Sequence, residues 1–150
     1  MTLEQKVAIA LVDAMKAKDH GALRALRGIK SEILLFKTSG SGDTLDEKAE
    51  IKILQKMVKQ RKDSLAIYME QSRDDLAQKE REEIVVIESF LPEQMDEAAL
   101  KGFLASLIDE LGISGMKDMG RLMAEANKRL GGKADGKTVS VIVKDLLSGQ

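Results

Sequence analysis

Residues 114–147 read SGMKDMGRLMAEANKRLGGKADGKTVSVIVKDLL, and the reading of this stretch decides the fold. Gly131 through Thr138 satisfies G-x-x-x-x-G-K-[ST], the pattern of a phosphate-binding loop. Such a loop joins a buried strand to a helix, so that backbone N–H groups and the helix N-terminus converge on the phosphates. Here the residues before Gly131 are AEANKRL, a charged helical run with no β-branched residue. No strand ending in Asp follows to hold a magnesium ion, and the rest of the chain supplies no βαβ unit. The match is accidental, and no nucleotide is expected despite it.

The next segment, TVSVIV, has strand propensity, but its pattern favours a helix. A strand would leave Ile142 on the polar face with Ser140 and Lys144, whereas a helix gathers Val139, Ile142, Val143, Leu146 and Leu147 on one side. The Gly-rich block is then a corner between two helices. Gly131 or Gly132 ends the first with positive φ, and Asp135 caps the second.

Working outward, Ser114 is a candidate cap for a helix over 115–130. Its spacing puts Met116, Met119, Met123, Ala126 and Leu130 on one stripe, read as core, and Lys117, Arg121 and Lys128 on the opposite face. Asp96 caps a helix carrying Leu100, Leu104, Leu107, Ile108 and Leu111, which Gly112 stops. Pro92 marks the boundary of this C-terminal part.

Upstream, apolar residues recur at helical spacing in four segments. The first, 3–18, carries Leu3, Val7, Ala10, Leu11, Ala14 and Met15; the second carries Leu23, Leu26, Ile29, Ile33 and Phe36. The third, from about Leu45 to Gln71, includes the cations Lys56, Lys59, Arg61 and Lys62. The fourth carries Leu76, Ile84, Ile87 and Leu91, with Ser72 as candidate cap. The expected fold is all-α: a four-helix bundle-like domain over 1–92 and a small three-helix domain over 93–150.

Composition narrows the chemistry. The 150 residues contain no Cys, one His, and aromatics at only 3%. Disulfides, thiolate metal sites and a cysteine nucleophile are thereby excluded, and no metal site or cofactor is expected. The carboxylate pairs Asp74-Asp75, Glu82-Glu83 and Asp109-Glu110 read as solvated helix surface, and His20 as an exposed turn residue without a partner. With no apolar run of spanning length and no signal-peptide pattern, a soluble cytoplasmic protein is expected. A net charge of −1 argues against strong indiscriminate nucleic-acid binding, yet residues 117–137 are locally basic.

The pairing of Asp118-Met119-Gly120 with Gly132-Lys133-Ala134-Asp135-Gly136-Lys137, together with Phe90-Leu91-Pro92-Glu93-Gln94, resembles the GatB/YqeY family and its stand-alone YqeY-like members. Asp118, Gly120, Gly132, Asp135 and Gly136 are the motif residues. The resemblance implies the same two helical domains. The second is similar to the tail of the B subunit of the tRNA-dependent amidotransferase, which helps recognise the tRNA body. It therefore implies Lys117, Arg121, Lys128, Lys133 and Lys137 as RNA contacts and tRNA or tRNA-processing enzymes as partners. The amidotransferase's catalytic parts have no counterpart here, so a non-catalytic tRNA-binding accessory module is expected. The alternatives are a protein-interaction adaptor using the N-terminal helices, and a component of a glutamine-dependent carbon–nitrogen ligase.

Overall fold

A computed structural model describes residues 1–149. The described residues form seven α-helices and one 3-10 turn, with no strand: α1 (Leu3–Ala17), α2 (His20–Thr38), α3 (Glu47–Glu70), α4 (Asp74–Glu88), α5 (Glu97–Leu111), the turn (Met116–Asp118), α6 (Met119–Leu130) and α7 (Gly136–Ser148). The chain divides into two compact units, Met1–Leu91 and Pro92–Gln150. None of the described helices is long and apolar enough to cross a membrane.

In the first unit each helix starts where a side chain can take an unpaired backbone N–H. Thr2 and Gln5 form a reciprocal capping box, each side chain accepting from the other's N–H. Asp19 and Asp46 accept from Ala22 N–H at 3.1 Å and Ala49 N–H at 2.8 Å, each cap being worth about 1 kcal/mol. The apolar stripe of α2 packs on α1 on one side and on the α3–α4 hairpin on the other. Its Ile29 meets the same core as Val7, Leu54 and Ile87, all almost solvent-free. Each such aliphatic side chain contributes roughly 1.5–3 kcal/mol by leaving water.

One expected cap lies elsewhere. Ser72 adopts φ +57 and belongs to the end of α3, where Ser72 N–H donates to Met69 O and Arg73 N–H to Tyr68 O. That left-handed residue closes the preceding helix, so α4 begins after Arg73 without a side-chain cap. Further on, α4 stops at Glu88, three residues short of Leu91.

In the second unit, α5, α6 and α7 enclose a separate core of Leu100, Leu104, Leu107, Leu122, Leu130, Val139 and Val143. Asp96 caps α5 through Ala99 N–H at 2.7 Å, and Gly112 ends it at φ +65. Residues 136–148 are helical, with Val139, Ile142, Val143 and Leu147 buried and Val141 left outside.

Helix α6 departs from the expected span. Ser114 does not cap it; Gly115 is extended, and Met116–Asp118 make a 3-10 turn before the α-helix begins at Met119. Met116, on this turn ahead of the α-helix, is 48% exposed, and the buried line of α6 is Leu122, Ala126 and Leu130, with Met119 and Met123 half-covered beside it.

Candidate nucleic-acid interface

The basic residues of the second unit are carried by the 3-10 turn, the outer face of α6 and the α6–α7 corner. Gly131 (φ +54) and Gly132 (φ +91) turn the chain in the left-handed region, where a Cβ would be strained. Asp135 accepts from Thr138 N–H at 2.9 Å and from the Thr138 hydroxyl at 2.7 Å. Its carboxylate thus sits at the α7 N-terminus, where an anion is favoured by the helix dipole. The Gly131–Thr138 segment is a helix–corner–helix, with α6 where a phosphate-binding loop has its strand.

A second segment fixes this corner. Gln94 donates its side-chain amide to the carbonyls of Pro92 at 2.8 Å and Gly132 at 2.9 Å, and Met95 N–H donates to Lys133 O at 2.9 Å. Lys133 N–H donates in turn to Leu130 O at 3.0 Å, so both backbone polar groups of Lys133 are engaged while its side chain is exposed. In the sequence Pro92-Glu93-Gln94 is part of the family resemblance, with no role of its own for Gln94. Nothing local could have done so, because the partner carbonyl lies 38 residues away.

Lys117, Arg121, Lys128, Lys133 and Lys137 are all exposed. Arg121 and Lys128 lie on the α6 face opposite Leu122 and Ala126, about 10 Å apart along the axis. The Arg121 guanidinium donates to Leu111 O at 3.3 Å, so it also helps finish α5. Lys137 stands in the first turn of α7, where the helix dipole disfavours a cation. Among the described residues none of these five has an ion pair.

Arg129 behaves differently. Its guanidinium pairs with Glu125 at 2.9 Å and with Glu110, and these two carboxylates hold it above its ordinary range. It is a tie between α5 and α6. Asp118 makes no side-chain cap bond to α6. Gly120 and Gly136 would meet no atom within 4 Å if they carried a Cβ, so neither is required by packing. Among the described residues no cluster of three or more His, Cys, Asp or Glu is placed to hold a metal ion.

A family model described as Yqey-like protein matches residues 4–147, nearly the whole chain. The chain belongs to the YqeY family. Curated relatives in this family carry the name "Altered inheritance of mitochondria protein 41, mitochondrial". The one from Vanderwaltozyma polyspora is 33% identical over 116 residues, 73% of this chain and 62% of the relative. That from Lachancea thermotolerans is 33% identical over 103 residues, 67% and 55% respectively. A match of 25% identity from Pyrenophora tritici-repentis extends over 140 residues, 91% of this chain and 76% of the relative. The YqeY-like chain spans about three fifths of the length of the first two.

Proposed function

We propose that this YqeY-like protein is a non-catalytic accessory module that binds tRNA through the basic side of its second unit. The observation that carries the reading is a set of exposed, ion-pair-free cations: Lys133 and Lys137 at the backbone-anchored corner, Lys128 on the outer face of α6 and Lys117 on the 3-10 turn at the other end of α6. Lysines so placed neutralise phosphates and release counterions, which gives affinity without sequence readout. The resemblance of residues 93–150 to the amidotransferase tail supports tRNA among RNAs. In this reading the protein works beside tRNA-processing enzymes and carries no ligase chemistry of its own. The cytoplasm is the compartment we propose; the mitochondrial matrix is the alternative, since the relatives are named mitochondrial.

The test is fluorescence anisotropy of labelled bulk tRNA titrated with wild type and with the double variant K133E/K137E at several salt concentrations. The expected result is weaker binding by the variant and a salt slope smaller by about two. Unchanged affinity and slope would refute the reading.

A second reading is favoured by a specific feature of α1. Ala8, Ile9, Val12 and Met15 are exposed on the side of α1 turned away from Leu3, Val7 and Ala14. This patch suits a protein partner, making the chain an adaptor. A stable complex recovered from cells after nuclease treatment and lost in I9E/V12E would select it. Transfer of amide nitrogen from glutamine to misacylated tRNA by the purified chain, alone or with an amidase subunit, would instead establish a ligase component.

A further inference from the structure

Helix α3 carries a second concentration of positive charge, in the first unit. At about 100° per residue, Lys48, Lys52, Lys56 and Lys59 fall within an arc of about 80°, opposite the buried Leu54, Met57 and Val58. Lys62 follows at the edge of this arc, and the five span about 21 Å of helix. All five are exposed, and among the described residues none has an ion pair.

A solvated helix face ordinarily interleaves the two signs at spacings of three and four, because like charges there repel and opposite charges attract. Neighbouring α4 does so, with Asp75 four residues before Lys79 and Glu82 three after it. On α3 the spacings Lys48–Lys52, Lys52–Lys56, Lys56–Lys59 and Lys59–Lys62 are all like-charged, and the first carboxylate on the arc is Asp63. Two carboxylates at the start of the helix are used elsewhere. Asp46 caps it through Ala49 N–H, and Glu50 accepts from Leu3 N–H at 2.8 Å. Lys48 moreover lies in the first turn, where the helix dipole also opposes a cation. Along the helix only Asp63, four residues after Lys59, offers these lysines an opposite charge at a spacing of three or four.

From this we infer that the outer face of α3 is a second phosphate-backbone surface, on the first unit, whose occupant is an RNA strand. The side-chain chemistry narrows the partner. A bilayer surface would require apolar residues between the cations, and the residue standing among these lysines is Gln55. A protein partner would be anchored by aromatic or arginine side chains, and the stripe holds neither. Repeated lysine point charges about 6 Å apart along a line match a polymer of phosphates. Beside them lies an open depression of about 580 Å3, where Lys48, Lys52 and Lys56 meet Phe36, Thr44 and Ile53, and which Asp43 and Asp46 also border. Phe36 gives that depression an aromatic lining suited to an unstacked base. The choice of RNA over DNA rests on the tRNA reading of the second unit; the surface itself does not.

The experiment uses the full-length protein and three probes: labelled bulk tRNA, a DNA duplex of similar charge, and phosphatidylserine vesicles. The variants are K52E/K56E/K59E, its neutral counterpart K52Q/K56Q/K59Q, and K133E/K137E. The lysines being exposed and mutually repelling, helical content is expected to stay at the wild-type value and the unfolding midpoint not to fall. The inference expects at least a tenfold loss of tRNA affinity in the triple reversal, a smaller loss in the neutral triple, and a salt slope lower by about three. Wild-type tRNA binding by the triple reversal overturns it, even where K133E/K137E has lost binding and the second-unit reading stands. The opposite pattern supports the α3 surface and removes the second-unit reading. Loss of vesicle binding alone overturns the assignment in favour of a membrane, and tighter binding of the duplex than of tRNA overturns the choice of RNA.

Discussion

Gln94 holds Gly132. Its side-chain amide reaches the Gly132 carbonyl at 2.9 Å, and Met95 N–H takes the next carbonyl, that of Lys133, at 2.9 Å. The segment after Pro92 thereby fixes the backbone from which Lys133 projects. A flexible glycine corner becomes a defined platform through two hydrogen bonds.

Replacing Gln94 by Ala leaves the half-buried Gly132 carbonyl without this donor. The expected cost is about 1 kcal/mol, read as faster amide hydrogen exchange across residues 131–138 and an earlier urea transition of the second unit. Unchanged exchange there would show that Gln94 does not hold the corner.

The glycines separate by conformation. At φ +54, Gly131→Ala is expected to lose about 1 kcal/mol. Gly120, helical and with open space where a Cβ would go, is expected to accept Ala with no loss of stability and up to about 1 kcal/mol of gain. Urea denaturation of both variants checks the contrast. A stable Gly120→Ala protein with weakened tRNA binding would assign that glycine to close approach of a ligand.

The register of α6 gives a third expectation. Leu122→Ala is expected to cost about 2–5 kcal/mol, because Leu122 is wholly enclosed. Met116→Ala, on the exposed 3-10 turn, is expected to stay within about 0.5 kcal/mol of wild type. Chemical denaturation distinguishes the two, and the sequence stripe centred on the methionines would demand the reverse.

Much of this architecture was legible from spacing alone. Leu23, Leu26, Ile29 and Ile33 are buried as their periodicity requires, and Val139, Ile142 and Val143 decide for helix over strand in the same way. The failures have local causes. Spacing alone extends the sixth helix back to 115, whereas the α-helix starts at Met119 after a 3-10 turn, and its buried line is Leu122, Ala126 and Leu130 instead of the methionines. Cap rules recognise Ser72 but not that Ser72 at φ +57 is ending the previous helix. The Gln94–Gly132 bond joins two loops in space, and no spacing rule reports such a pair. Lys56, Lys59 and Lys62 stand out in the sequence as a cationic cluster with Arg61, but the structure adds Lys48 and Lys52 to their face and shows the five without an ion pair among the described residues.

In the first unit, burial, with the nearby Glu83 adding to it, raises the carboxyl pKa of Glu80, while Arg61 opposes the shift. A raised folded-state value means that ionisation disfavours the fold. Stability contributed by the protonated group is complete below the ordinary carboxylate range and is lost as pH rises through the folded value. Glu80→Gln is therefore expected to be slightly stabilising at neutral pH, within about 0.5 kcal/mol, with the gain vanishing in acid. Thermal unfolding at neutral and acidic pH checks the sign.

The central claim is that tRNA lies against the basic side of the second unit. Ultraviolet crosslinking of the purified protein to tRNA, with crosslinked peptides mapped by mass spectrometry, tests it most directly. The account predicts crosslinks within residues 117–137, lost in K133E/K137E. Crosslinks that never fall in that segment, or none above a background set by an unrelated acidic protein, would contradict it.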